Sequence, residues 1–135
     1  MFKTLLVEDS FIFKELYRSS LKLQFPSMKI ADARDGVEAF KRLASFHPHL
    51  IFMDIRLPGE NGIELTKKIK SGHPEVVVAI LTNYDFDEYR EAALKNGADY
   101  FLVKGSVTPI DISALVKKIL FEKGFKADGS KVAAA

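Results

Sequence analysis

The chain contains no cysteine among its 135 residues. That excludes disulfides, zinc–thiolate sites and thiol catalysis, and it fits the cytoplasm. Charge of one sign is scarce in excess: the net charge is +2, too near neutral to argue for nucleic acid or an anionic membrane as a partner of this domain itself. No apolar stretch approaches the ~18 residues that would suggest a membrane span. Met1 leads directly into a strand-like run rather than a basic segment with a long apolar core, so no signal peptide is read there. The first turn, Glu8-Asp9-Ser10-Phe11, lacks the glycine-rich or hydroxyl-rich cradle that a mononucleotide site of flavodoxin type would need, and its carboxylates would repel phosphate without a metal. What remains, 47% hydrophobic and 28% charged residues, suits one globular domain with a real core rather than a disordered chain.

Five apolar runs of strand length alternate with longer amphipathic stretches. They are Leu5-Leu6-Val7, a weaker run from Met28 to Ala33, Leu50-Ile51-Phe52-Met53, Val76 to Leu81, and Tyr100-Phe101-Leu102-Val103. Three are continuously apolar over at least four residues, as in strands buried on both faces of a parallel sheet. The stretches between them carry helix signals. Asp9-Ser10 offers an N-cap for a helix from Phe11. Asp35 to Glu38 has capping-box spacing, with Val37, Phe40 and Leu43 following at helical intervals, and Asp85 to Glu88 repeats that spacing before Tyr89, Ala92 and Ala93. Asn96-Gly97 tolerates a left-handed helix end. Thr108-Pro109 reads as N-cap and first-turn proline, and Ile112, Leu115, Val116, Ile119 and Leu120 form a stripe that packs on a sheet. The alternation predicts a doubly wound α/β domain with helices on both faces. It is expected over residues 1–123, with 124–135 a tail, a linker start or an added remnant.

The informative feature is where the polar residues fall. Four runs end in a residue that a core would not choose: Glu8-Asp9 after the first, Asp54 after the third, Thr82 in the fourth and Lys104 after the fifth. Ligands of open parallel sheets bind outside the carboxyl ends of the strands, so these groups would converge. Taken singly each has an ordinary explanation: an N-cap for Asp9, a turn for Asp54, a β-branched strand residue for Thr82, a solvated charge for Lys104. All of them together at one edge do not. Gathered carboxylates repel one another unless a hard divalent cation intervenes, and Mg²⁺ is the natural one. A lysine can neutralise a phosphoryl group, a hydroxyl can donate to it, and a carboxylate can be its nucleophilic acceptor. The set suits phosphoryl transfer.

Leu5-Leu6-Val7-Glu8-Asp9, Met53-Asp54-Ile55-Arg56-Leu57-Pro58-Gly59-Glu60-Asn61-Gly62, Ile80-Leu81-Thr82 and Gly97-Ala98-Asp99-Tyr100-Phe101-Leu102-Val103-Lys104, in that order, resemble the receiver domain of two-component response regulators over roughly residues 3 to 122. The resemblance implies a flavodoxin-like (βα)5 sandwich with a five-stranded parallel sheet in the order 2-1-3-4-5. It implies that Asp54 is the phosphoacceptor. Asp9 would be a direct Mg²⁺ ligand, Glu8 would assist through water, and the backbone carbonyl of Arg56 would be a further ligand. Thr82 would be the switch hydroxyl, Lys104 the cation that pairs with the phosphoryl group, and Phe101 the aromatic rotamer switch. The donor would be a sensor histidine kinase or a histidine phosphotransfer protein. The output would be a downstream protein or an effector domain reached through the fourth helix, fifth strand and fifth helix. Phosphorylation-dependent homodimers through the last two helices are a further expectation, with no turnover substrate.

This sequence departs from the pattern in places. Asn83 stands where a small residue is usual and is expected to alter transfer rates. Gly105 follows Lys104 where a proline with a cis bond is common. Phe101 lacks the hydroxyl of a tyrosine switch. The side chain of Arg56 reads as exposed surface charge, with reach over the site the alternative. Arg56 also stands where an aspartyl phosphatase would want its second Asp, which argues against that enzyme class. A receiver-like module that binds partners without cycling phosphate is the other alternative.

Overall fold

The computed structural model describes residues 1–133. Five β–α units follow one another: β1 (Lys3–Val7), α1 (Phe11–Gln24), β2 (Lys29–Ala33), α2 (Gly36–Phe46), β3 (Leu50–Met53), α3 (Gly62–Gly72), β4 (Val77–Thr82), α4 (Asp87–Lys95), β5 (Tyr100–Val103) and α5 (Pro109–Glu122). All neighbouring strands are parallel, in the order β2-β1-β3-β4-β5. The order reverses between β1 and β3, and a crevice opens at the carboxyl ends of those two strands.

The continuous apolar runs split cleanly by side. Leu5, Val7, Ile51, Met53, Val78, Ile80 and Phe101 face one core, shared with α2, α3 and α4. Leu6, Leu50, Phe52, Ala79 and Leu81 face a second, shared with α1 and α5. That is the period-two alternation of a strand expressed with apolar residues at both phases. Each fully buried Leu or Ile contributes about 1.5–3 kcal/mol relative to exposure. A one-residue slip of register would exchange the two cores, so the pairing Thr4↔Leu50, Leu50↔Val77 is strongly specified.

Helix boundaries follow their local chemistry. The Ser10 Oγ accepts from the Phe13 N–H at 3.4 Å. Thr108 and Asp111 form a reciprocal capping box at α5, with Pro109 behind the cap. Asp35 caps α2 through the Glu38 N–H, but Glu38 reaches back to the Arg34 N–H at 3.1 Å rather than to that of Asp35. The expected box at Asp85 does not form. Phe86 occupies the N-cap of α4 with no side-chain cap, and Asp85 lies 3.9 Å from Arg90 instead. The stripe of α2 is also shifted: Ala39 and Leu43 are buried, whereas Val37 is 67% exposed.

The chain does not stop packing at the end of α5. Gly124, at φ +80°, lets its own N–H reach the Phe121 carbonyl and that of Phe125 reach the Leu120 carbonyl. This left-handed helix end turns the chain inward. Phe125 is then buried at the amino-terminal edge of the sheet, edge-on to Phe2 and His49 with ring centroids 5.1 Å from each. The Phe2 N–H donates to the Gly129 carbonyl at 3.1 Å, and Phe125 and Lys131 form an antiparallel bridge. Among the described residues, no helix is long and apolar enough to cross a membrane.

Candidate functional site

Four strand ends position the site. Backbone hydrogen bonds from Glu8 to Ala33, Asp54 to Val7, and Lys104 to Thr82 carry the sheet ladder one residue past β1, β3 and β5. The side chains of Glu8, Asp54 and Lys104 therefore start from rigid backbone. Asp54 is further fixed because the Ile55 N–H donates to its Oδ1 at 2.7 Å. The following loop is folded back by the Gly62 N–H, which donates to the Ile55 carbonyl at 2.8 Å. Only glycine fits there: a Cβ on Gly62 would lie 1.9 Å from the Asp54 carbonyl oxygen.

Carboxylate oxygens of Glu8, Asp9 and Asp54 can lie within 4.8 Å of one another. Glu8 and Asp54 are buried and Asp9 is exposed. The Lys104 ammonium reaches both buried carboxylates. It bonds closely to the Glu8 Oε1 and lies 3.2 Å from the Asp54 Oδ2. Glu8 is thus a direct partner of Lys104, an arrangement the sequence did not suggest.

Electrostatics follow from this crowding. Burial, and then the neighbouring Asp54, push the Glu8 carboxyl up to about 7, against the pull of Lys104. Burial alone would raise Asp54 as well, but hydrogen bonding with Glu8 and the charge of Lys104 hold it below the usual carboxylate range, with help from the Thr82 hydroxyl. Burial opposes the charge on Lys104, and the two carboxylates outweigh it and raise its pKa. Asp54 is therefore the more acidic of the two carboxyls.

The remaining expected residues fall nearby or underneath. Thr82 is fully buried, and its Oγ1 accepts from the Tyr84 N–H at 3.4 Å. Asn83 is exposed. Arg56 is exposed, and its guanidinium lies 4.6 Å from the ring centroid of Tyr84. Phe101 points inward beneath α4, with the Arg90 guanidinium 4.8 Å from its ring centroid. No peptide bond among the described residues is cis, so the Lys104–Gly105 bond is trans.

Comparison with known proteins decides the family. The model of the response regulator receiver domain matches residues 4–120. The chain belongs to that family. This receiver domain is 38% identical over 104 residues to the transcriptional regulatory protein LnrK of Bacillus subtilis (strain 168), which covers 77% of this chain and 47% of that protein. It is 32% identical over 105 residues to the oxygen regulatory protein NreC of Staphylococcus aureus (strain JH9), covering 77% and 48%. The chain spans about half the length of these curated relatives. A two-component response regulator from Clostridium difficile superposes with a TM-score of 0.84 at 25% identity, over 91% of this chain and 98% of the other. The receiver domain of Thermotoga maritima CheB gives 0.74 at 31% identity, over 88% and 93%.

Two residues beside the site escaped the sequence reading. Phe13, on α1, lies with its ring centroid 4.1 Å from the Lys104 Nζ. Tyr84 anchors Arg56. Neither sits at a strand end, the signal by which the others were found.

Proposed function

We propose that this receiver domain of two-component signalling takes a phosphoryl group from a histidine kinase or histidine phosphotransfer protein onto Asp54. The observation that carries this reading is the bridging of Glu8 and Asp54 by Lys104 at the carboxyl edge of the sheet. The Asp54 Oδ1 is held by the Ile55 N–H, and Oδ2, on the side of Lys104, is the oxygen that attacks phosphorus. The carboxylate forms the new P–O bond, and the bond from phosphorus to the donor's imidazole nitrogen breaks. Lys104, already 3.2 Å from that oxygen, stays beside the group and offsets its charge. Glu8 then loses its share of the ammonium.

The residues present fit a divalent cation. The Glu8 Oε2 is buried without a hydrogen-bond partner, and such an atom is costly unless something binds it. Asp9, Asp54 and Glu8, with the carbonyl of Arg56, would hold Mg²⁺. When bound, it supplies charge neutralisation for phosphoryl oxygens that the carboxylates would otherwise repel.

Thr82 carries the signal onward. Its hydroxyl accepts from the Tyr84 N–H and can donate its own proton to a phosphoryl oxygen, so a turn of Thr82 toward that oxygen draws the loop before α4 inward. The start of α4 has no side-chain cap, which makes that end of the helix the weakly held part of the α4–β5–α5 face. A preference of ~1–3 kcal/mol between two arrangements would change a partner's affinity about 5–150-fold. The partner is a downstream protein, an attached effector or a second copy of the domain. The domain acts in the cytoplasm and catalyses only its own phosphorylation and dephosphorylation.

The test is intact mass after incubation with Mg²⁺ and acetyl phosphate, beside Asp54→Ala. One added phosphoryl mass, absent from the variant and absent without Mg²⁺, is expected. No added mass, together with no binding of beryllofluoride, would identify a module that keeps the fold without cycling phosphate.

A further inference from the structure

The side chain of Lys104 is 5% exposed, and its ammonium meets more than the two carboxylates. The ring of Phe13 also lies against it, with its centroid 4.1 Å from Nζ. That ring is held in turn by Tyr17, one turn further along α1, stacked on it at a centroid distance of 6.3 Å and an interplanar angle of 18°. Phe13 and Lys104 also line the same cleft between α1 and α5, with Tyr17, Val107 and Pro109.

We propose that Phe13 is a positioning residue for Lys104: its ring face holds the ammonium over Asp54 while leaving the N–H donors free for the group that Asp54 receives. The inference rests on the phosphoacceptor reading above. The physical reason is the difference between a ring and a carboxylate as counterpart to a cation. A ring face attracts the ammonium through its quadrupole, most strongly where water is excluded, and accepts no hydrogen bond that would compete with a phosphoryl oxygen. A third carboxylate in its place would bind Lys104 more tightly and keep it from the phosphoryl group. When the phosphoryl group arrives and Lys104 leaves Glu8, Phe13 is the contact that does not have to change.

The test compares Phe13→Leu with Phe13→Tyr in the whole chain. Leucine keeps the apolar bulk and removes the ring, whereas tyrosine keeps the ring face. Two readouts are followed by NMR: the ring-current shift of the Lys104 side-chain protons, and the affinities for Mg²⁺ and then for beryllofluoride with Mg²⁺ present. Phe13→Leu is expected to abolish the ring-current shift and weaken beryllofluoride binding roughly three- to thirtyfold, the range given by an ammonium–ring contact. Its Mg²⁺ affinity should be unchanged, and Phe13→Tyr should restore both properties. Wild-type beryllofluoride affinity in Phe13→Leu would overturn the inference, as would equal losses in both variants or a matching loss of Mg²⁺ affinity. Failure of the wild-type protein itself to bind beryllofluoride would overturn the phosphoacceptor reading, and the inference with it.

Discussion

Replacing Phe125 by alanine removes a side chain that closes the amino-terminal edge of the sheet. Phe125 is 6% exposed and meets two rings, Phe2 and His49, each at 5.1 Å. Truncating a buried phenylalanine costs about 3–5 kcal/mol, from lost transfer energy and the cavity left behind. Edge-to-face ring pairs lie at the upper end of that range because each adds about 0.5–1.5 kcal/mol beyond burial. The backbone around it would loosen as well, since the bonds from Phe2 to Gly129 and from Val132 to Gly124 depend on the same turn. With a urea m-value of about 1–3 kcal/mol/M, the unfolding midpoint should fall by roughly 1–5 M. Equilibrium urea unfolding followed by far-ultraviolet circular dichroism measures it. Phe121→Ala is the control: that ring is 84% exposed, and its loss should change stability by less than about 0.5 kcal/mol. If Phe125→Ala and Phe121→Ala unfold at the same midpoint, the segment after α5 is not docked in solution and the reasoning fails.

Two further outcomes are expected. The His49 Nδ1 accepts the Lys3 N–H at 3.0 Å, so its second proton must enter at that atom and displace the bond. Burial lowers its pKa, reinforced by Lys3, the amino terminus, Lys123 and Lys131. The unfolded chain then binds the proton more readily than the folded one. Stability should be full above the unfolded value of about 6.5 and fall as the pH drops below it. His49→Asn should flatten that slope in urea titrations between pH 5 and pH 7.5, and an unchanged slope would assign it to other groups. Gly62→Ala would drive a Cβ to 1.9 Å from the Asp54 carbonyl. It should cost about 1–3 kcal/mol or more in thermal unfolding and slow acetyl phosphate labelling of Asp54 beyond what the stability loss explains. Labelling at the wild-type rate would show that this loop does not set the geometry of Asp54.

The sheet was legible because its strands are apolar at both phases, and the site because Glu8, Asp9, Asp54, Thr82 and Lys104 break that pattern at strand ends. The pairing within the site was not, since Lys104 and Glu8 are 96 residues apart and no local spacing encodes which carboxylate a lysine reaches. The helical spacing of Val37, Phe40 and Leu43 correctly marked α2 and one residue of its buried face, Leu43, but Ala39 takes the inner position in place of the other two, a choice that belongs to the tertiary structure. The box at Asp85 failed for a similar reason: Asp85 lies near Arg90, and Phe86 takes the N-cap of α4 in its place. The docking of Phe125 did leave a local trace. Lys123-Gly124-Phe125 is the signature of a left-handed helix end followed by an apolar residue, and such a residue usually packs back.

The strap after α5 also fixes a geography. Gly129 is bonded to Phe2 at the amino-terminal edge of the sheet, whereas Asp54 lies at the carboxyl edge, a full strand length away. The strap from Gly124 to Val132 therefore sits at the pole opposite Asp54. Any influence between the two has to pass through the body of the domain, and Phe125, packed on Phe2 and His49, is where the strap meets it.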